Sequence, residues 1–327
     1  MKILLTGASG FIGRTLLRRL QQEGHEVLAL CHAHQENGMS LVSCDLSKPL
    51  TLAGTFDIII HAAGISPAQT TSMKVFKHAN VDSMENLLAW ASAGHARRMI
   101  FLSSVSVYGK IQSACIDEDT PIIQPDDYGL SKYVAERLLL ESTKVEGLVL
   151  RLPGVFGIQA ERPWLAHVVQ KCMRGEDVTI YAPEFVGNNY LYIEDLAAFI
   201  LQLLEEKWTG KTLLLGLTKG IAIRQAVEVV RHKIGSGSRI VVEESKTAPF
   251  TLDVSRAVRH GFASHSFMSM IDGCLCGGVE ATTMILCMPL QSIRWHHETV
   301  VSYSTFPRQI SKQSLYISAL RGKPVRQ

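Results

Sequence analysis

The segment Thr6-Gly7-Ala8-Ser9-Gly10-Phe11-Ile12-Gly13 constrains this chain most. It follows a short apolar run at residues 2–6. It also opens a stretch from Phe11 to Glu23 in which Leu16, Leu17 and Leu20 recur on one face. The pattern reads as strand, tight loop and helix in immediate succession. Gly7 suits a tight-turn backbone, Gly10 lets the main chain approach a pyrophosphate with no side chain in the way, and Gly13 lets the helix lie close to the strand. The free N–H groups of Ser9, Phe11 and Ile12 and the positive end of the helix dipole then face the phosphates.

The rest of the first half repeats this rhythm. Residues 27–31, 41–44, 56–61, 99–103 and 148–152 read as strands, and residues 81–93 and 128–142 as helices. Phe56-Asp57-Ile58-Ile59-Ile60-His61 is too apolar for a sheet wet on one face. Short apolar strands alternating with helices predict an α/β, doubly wound parallel sheet covered on both faces. The expected division is a dinucleotide-binding domain over 1–160, a smaller substrate-binding region over 161–267 interleaved with returning sheet elements, and an unassigned tail over 268–327. Ligands of such sheets sit at the carboxyl edge of the strands.

Composition removes several alternatives. Hydrophobic residues make up 46% and charged residues 19%, which excludes a disordered chain. The net charge of +3 is too small to argue for a nucleic-acid partner, and all of that excess falls after residue 270. No apolar run approaches the roughly 18 residues of a membrane helix, and the start meets glycine too early for a signal peptide. Seven scattered cysteines fit a reduced, cytoplasmic protein better than a disulfide scaffold. In the tail, Cys274, Cys276, His296 and His297 match no trusted zinc spacing, so no metal is expected.

Tyr128 and Lys132 stand one helical turn apart behind the helix start Pro125-Asp126-Asp127. A phenol titrates near 10, whereas acid/base work at neutral pH asks for about 7, a gap of about 4 kcal/mol. One cation about 4 Å away, at an effective dielectric near 20, supplies about that much. Tyr133 with Arg137 repeats the spacing, so the pair gains its meaning from a second feature. The strand at 99–103 ends in the hydroxyls of Ser103, Ser104 and Ser106, where a serine can hold a substrate hydroxyl or carbonyl. The second strand ends Cys31-His32-Ala33-His34, with neither the acid that binds the ribose of NAD nor the arginine that accepts the phosphate of NADP. The missing acid favours NADP, with His32 or His34 near its phosphate. Asp45, beside Leu46, either hydrogen-bonds the adenine or caps a turn.

In order along residues 1–265 the chain carries Gly7/Gly10/Gly13, Asp45-Leu46, His61-Ala62-Ala63-Gly64, Asn80, Ser103-Ser104 ahead of Val107-Tyr108-Gly109, Tyr128 with Lys132, Arg151-Leu152-Pro153-Gly154 and Tyr192-Ile193-Glu194-Asp195. This set resembles the extended short-chain dehydrogenase/reductase family, in its NAD(P)-dependent sugar epimerase/dehydratase branch. The resemblance implies a Rossmann fold, an NAD(P) cofactor and a homodimer formed through the helices after the fourth strand and the Tyr–Lys helix. It implies Tyr128 as acid/base, Lys132 as the group on the nicotinamide ribose, and Ser104 as the substrate-orienting hydroxyl. It also puts Ala62, Ala63 and Gly64 beside the cofactor ribose, Pro153 and Gly154 near the nicotinamide, and makes Asn80 a structural bridge.

Departures from the family pattern narrow the reaction. Sugar dehydratases carry Asp-Glu after the catalytic Ser/Thr, where this chain has Val105-Ser106. Nucleotide-sugar epimerases often have Asn where Gly154 stands, and an Arg near the strand where Asn188 and Asn189 stand. Asn188, Asn189 and Ser106 are therefore the candidate substrate contacts, with Arg162 as a further substitute. The expected activity is epimerisation or ketoreduction of a nucleotide-linked sugar. The alternatives are an NADPH-dependent reductase of a non-sugar carbonyl and a non-catalytic NAD(P)-binding regulatory protein.

Overall fold

The computed structural model describes residues 1–32, 41–67, 69, 72–160, 163–208, 211–245 and 247–275. Met1–Cys274 form one compact unit, described below; of the second unit, Leu275–Gln327, only its first residue is described.

The chain enters with β1 (Lys2–Thr6), α1 (Phe11–Gln22), β2 (Glu26–Cys31), β3 (Val42–Ser43) and β4 (Ile58–His61). There follow α2 (Met73–Phe76), a π-helical turn at Lys77–Asp82, α3 (Ser83–Trp90) and a second π-turn at Ala91–His95. Next come β5 (Arg98–Ser104), a 3-10 turn at Val105–Tyr108, β6 (Cys115–Ile116), α4 (Asp127–Leu140) and β7 (Glu146–Leu152). The second half holds β8 (Gly154–Phe156), α5 (Trp164–Arg174), β9 (Val178–Tyr181), β10 (Val186–Gly187), β11 (Tyr190–Tyr192), α6 (Ile193–Glu205) and β12 (Thr212–Leu214). It closes with β13 (Ile221–Ala222), α7 (Ile223–Ile234), β14 (Ile240–Glu243), β15 (Thr251–Leu252), α8 (Ser255–Arg259) and α9 (Phe267–Leu275).

Seven strands form one parallel sheet in the order β12-β7-β5-β4-β1-β2-β3. Strand order reverses between β1 and β4, which lie side by side with Thr6 opposite His61. Their carboxyl ends therefore border the crevice where doubly wound sheets take ligands. Ile3, Leu4, Leu5, Ile58, Ile59 and Ile60 are fully buried, as strands covered on both faces require. Leu4, Ile59, Met99, Phe101 and Val149 of the sheet pack with Met84, Leu87, Ala135 and Leu139 of α3 and α4. The second half returns twice, adding β12 to the large sheet and forming the small pairs β8–β11, β9–β14 and β10–β13.

The helix read from the sequence at 81–93 begins earlier, at Met73, and is broken by two π-turns that shift the phase of its apolar face. Part of the segment from 268, unassigned from sequence, is helical: α9 buries Phe267, Met270, Ile271 and Cys274. Cys276, Cys287, His296, His297, His34 and Arg162 lie outside the described residues. Among the described residues, no helix is long and apolar enough to cross a membrane.

A buried ionic cluster ties α4 to the sheet. Arg151 of β7 donates to Glu136 of α4 at 2.8 Å, and Ser103 Oγ donates to the same carboxylate at 2.5 Å. Arg151 also donates to the Glu118 carbonyl at 3.1 Å and sits 4.8 Å from the Tyr108 ring centroid. Removing one partner of a buried pair leaves the other charge without compensation. Glu136→Ala is expected to cost about 3–5 kcal/mol in urea denaturation, and the double change Glu136→Leu/Arg151→Met to recover much of it; a single variant that loses under about 1 kcal/mol would remove the cluster's structural importance.

Candidate active site

The glycine loop has the geometry its spacing predicts. Gly7 sits at φ +70°, and a Cβ there would lie 2.6 Å from the Ala63 nitrogen. A Cβ on Gly13 would come within 2.1 Å of the Gly7 carbonyl. Gly10 is different: a Cβ there would meet only that carbonyl, at 3.3 Å, so its space opens outward. Gly10 is also the N-cap of α1, and no side chain among the described residues caps the helix. An uncapped helix start beside open backbone fits the pyrophosphate of a dinucleotide. Ser9 holds Arg14 through its carbonyl at 2.7 Å, while Phe11 and Ile12 form the first turn.

The adenosine side is less defined. His32 is exposed past the end of β2, and its carbonyl accepts from Ser43 Oγ at 3.3 Å. The Asp45 carboxylate accepts from the Ser47 backbone at 3.1 Å and its hydroxyl at 2.5 Å, and pairs with Lys48 at 3.3 Å. The Ser47 hydroxyl first, with help from Lys48, holds the Asp45 carboxyl down at about 2. Asp45 caps the turn at Ser47. Leu46 beside it is buried.

The other wall is built from Ala62, Ala63 and Gly64. Thr6 Oγ1 accepts the Ala63 N–H at 3.2 Å and lies 2.7 Å from His61 Nδ1. Asn80, buried in the first π-turn, accepts the Ile65 N–H at 3.0 Å and donates to Ser131 Oγ at 2.9 Å, while Ser131 Oγ donates to the Tyr128 carbonyl at 2.8 Å. The side chain of Asn80 therefore clamps the loop after β4 to the helix of Tyr128 and Lys132. A Cβ on Gly64 would stand 2.9 Å from Asn80 Oδ1, which excludes a side chain there.

The hydroxyl end of β5 and the start of α4 are packed as one piece. Asp126 caps α4 by accepting the Gly129 N–H at 2.7 Å. A Cβ on Gly129 would come 2.2 Å from the Ser106 carbonyl, so α4 lies directly on the turn after β5. In that turn Ser104 Oγ accepts the Ser106 N–H and donates to Ser106 Oγ, both at 3.1 Å. Tyr128 is half-buried, with its ring 5.7 Å from that of Phe76. Tyr133 packs elsewhere, against the Val107–Tyr108 cluster, and Arg137 pairs with Glu141.

Lys132 is buried, and its Nζ donates to the Leu102 carbonyl at 2.6 Å. Loss of water around the ammonium brings its pKa down to about 7, with Glu136 one turn on pulling the other way. Burial thus weakens the hold on the Lys132 proton relative to an exposed lysine. The neighbouring His61 is held at about 3 by burial and then by Lys132.

On the substrate side, Pro153 is buried and Gly154 exposed, with Pro163 Cβ 3.1 Å from where a Cβ on Gly154 would be. Asn188 is a correction to the sequence expectation. Its buried carboxamide donates to the Leu217 and Leu252 carbonyls and accepts the Leu252 N–H, so it staples backbone and has no group left for substrate. Asn189, adjoining the β8–β11 pair, keeps a buried Oδ1 with no hydrogen-bond partner among the described residues. Sequence reasoning missed His61 and Phe101 as site residues; both read as ordinary strand residues until the parallel register puts them side by side.

Residues 3–216 match the sequence model of the NAD dependent epimerase/dehydratase family, and the chain belongs to that family. A UDP-glucose 4-epimerase of Streptomyces lividans is 25% identical over 267 residues, which is 72% of this chain and 81% of that protein. A D-erythronate dehydrogenase of Cupriavidus necator is 30% identical over 179 residues, 47% of this chain and 55% of that one. Among solved structures, UDP-glucuronic acid 4-epimerase from Bacillus cereus in complex with NAD superposes with a TM-score of 0.72 at 21% identity, covering 83% of this chain and 96% of that one.

Two outcomes follow from this geometry. Gly10→Val should weaken NADH binding, followed by fluorescence titration, by about tenfold or more (about 1.4 kcal/mol) with little change in melting temperature, whereas Gly13→Val should unfold the protein. For Lys132 the pKa falls from about 10.4 unfolded to about 7 folded, so the unfolded chain binds more protons between those values and stability rises with pH across that window. Lys132→Met is therefore expected to be more stable than the parent by a few kcal/mol at pH 6, with the gap closing toward pH 10 in urea denaturation; a gap that widens with pH would contradict the assignment.

Proposed function

We propose that this chain moves hydride between a carbinol carbon of a sugar and a nicotinamide cofactor, as an epimerase or ketoreductase of a nucleotide-linked sugar. The observation that carries the reading is the shared edge of the fold. Ser104, Tyr128 and Lys132 come from two elements locked together at Gly129 and Ser106, beside the loop that Gly7, Ala62 and Ala63 form. When bound, the nicotinamide supplies the hydride acceptor or donor. Gly7, Ser9, Gly10, Phe11, Ile12 and Gly13 would hold its pyrophosphate, and His32, Asp45 and Leu46 would border its adenosine end. Ala62, Ala63, Gly64, Pro153 and Gly154 would border its nicotinamide end, with Lys132 donating to the ribose there.

The chain's own groups then move the proton. The Tyr128 oxygen takes the proton of the substrate hydroxyl in oxidation and returns it in reduction. Ser104 Oγ holds the substrate oxygen in line, and the Lys132 ammonium favours the phenolate form of Tyr128. Val105-Ser106 in place of an acidic pair leaves no group for water elimination, so a dehydratase reaction is not part of the proposal. Cys31-His32 at the end of β2, with no carboxylate among the described residues there, supports NADP as the preferred cofactor. A homodimer through α2, α3 and α4 belongs to the same reading, since Met73, Val75 and Leu130 are exposed there.

One observation favours a second reading. Asn188 is consumed by backbone and Gly154 offers no side chain, so two positions that often hold the nucleotide part of the substrate are neutral and unavailable here. That supports oxidation of a small free hydroxy acid, as the name of the Cupriavidus relative suggests.

Incubating the protein with UDP-glucose, UDP-glucuronic acid or D-erythronate, each with NAD+ or NADP+, separates these readings by nicotinamide absorbance and product stereochemistry. With the substrate that is turned over, Tyr128→Phe should lose about 10²–10⁴-fold in kcat and keep its cofactor affinity; full activity in that variant would end the proposed mechanism.

A further inference from the structure

Lys132 has no carboxylate within ion-pair distance among the described residues, yet its ammonium is buried. Glu136, the acid nearest it along α4, is committed to Arg151 and Ser103. What stands against Nζ is a ring: the Phe101 centroid lies 4.1 Å away. Phe101 is itself buried in β5, and His61 of β4 stacks on it with centroids 5.3 Å apart and planes at 20°. His61 is fixed in turn by Thr6 of β1, whose hydroxyl also takes the Ala63 N–H.

We propose that Phe101 is a positioning residue for the reaction, its ring face, braced by His61, holding Lys132 as a charged ammonium at the edge where Tyr128 stands. The role of Lys132 in that statement rests on the function proposed above; the contact itself does not. An aromatic face carries negative quadrupole charge and attracts a cation most strongly where water is excluded, by enough to shift an equilibrium about tenfold or more. Apart from the ring, the one hydrogen-bond partner of Nζ among the described residues is the Leu102 carbonyl. The titratable groups around it are Glu136 and Tyr128 on α4 and His61 on β4. His61 is uncharged near neutral pH, so its stack braces the ring without adding a positive charge beside the ammonium. The arrangement also joins three adjacent strands, since β1, β4 and β5 each place one of Thr6, His61 and Phe101 in register.

The experiment uses the full chain without cofactor, labelled with ¹³Cε-lysine, with the Lys132 resonance assigned by its loss in Lys132→Met. Fluorinated phenylalanines with one, two and three fluorines at position 101 keep the ring's shape and drain its quadrupole. The Lys132 titration midpoint is expected to fall stepwise, by about one pH unit across the series, and by a similar amount in Phe101→Leu, while Phe101→Tyr holds it near the parent value. An unchanged midpoint across the fluorinated series, or an equal fall in Phe101→Tyr, would overturn the proposal. If Phe101→Leu fails to fold, the fluorinated series alone decides. The readout needs no substrate, so a failed substrate screen bears on the proposed function and leaves this test standing.

Discussion

The active-site edge depends on how closely β1 and β4 approach at their carboxyl ends. Gly7 has room for no side chain because the Ala62–Ala63 backbone occupies that space. The Thr6 hydroxyl spans the same gap by taking the Ala63 N–H and meeting His61. From this junction the two halves of the site diverge. One side runs through the loop to the uncapped start of α1, and the other through His61 and Phe101 to Lys132. A change that widened the gap would disturb both the start of α1 and the surroundings of Lys132, although the two lie on separate elements.

Burial and catalysis oppose each other at Lys132. Taking the ammonium out of water brings it near neutrality, which is costly to the fold. A surface lysine would stay charged at no cost but would feel Tyr128 through water, where a charge pair is worth about a quarter as much as at an effective dielectric of 20. The interior position gives stronger coupling together with a risk of losing the charge. The Leu102 carbonyl and the Phe101 ring are neutral groups that limit that risk without adding a carboxylate that would compete for Lys132.

Much of the fold and part of the site could be read from the residues alone, for identifiable reasons. The glycine loop is local: three glycines, one strand and one helix fix its shape within the first turn of α1. The start of α4 is local too, since Asp126 caps it as its sequence suggests. What escaped was non-local. Asn188 lies in a polar run and looks like a surface group, but backbone from residues 217 and 252 arrives from far along the chain to occupy its carboxamide. The early start of the helix at Met73 was hidden because a π-turn adds a residue per turn and slides the apolar face out of phase. His61 opens the His61-Ala62-Ala63-Gly64 motif and Phe101 belongs to none; only the parallel register makes them neighbours.

The contact of Gly129 with the Ser106 carbonyl has a consequence for what position 129 can hold. With 2.2 Å between that carbonyl and the place a Cβ would take, no residue larger than glycine fits at position 129 while α4 lies on the turn that bears Ser104. The elements that carry Ser104, Tyr128 and Lys132 therefore stay packed this closely only while position 129 has no side chain. The second half of the chain is built differently, from the two-stranded pairs β8–β11, β9–β14 and β10–β13. Those pairs are separate from the large sheet, and Asn188 ties this half to itself through the backbone of Leu217 and Leu252. One glycine thus sets how closely the end of β5 and the start of α4 meet, while the second half is held by contacts of its own.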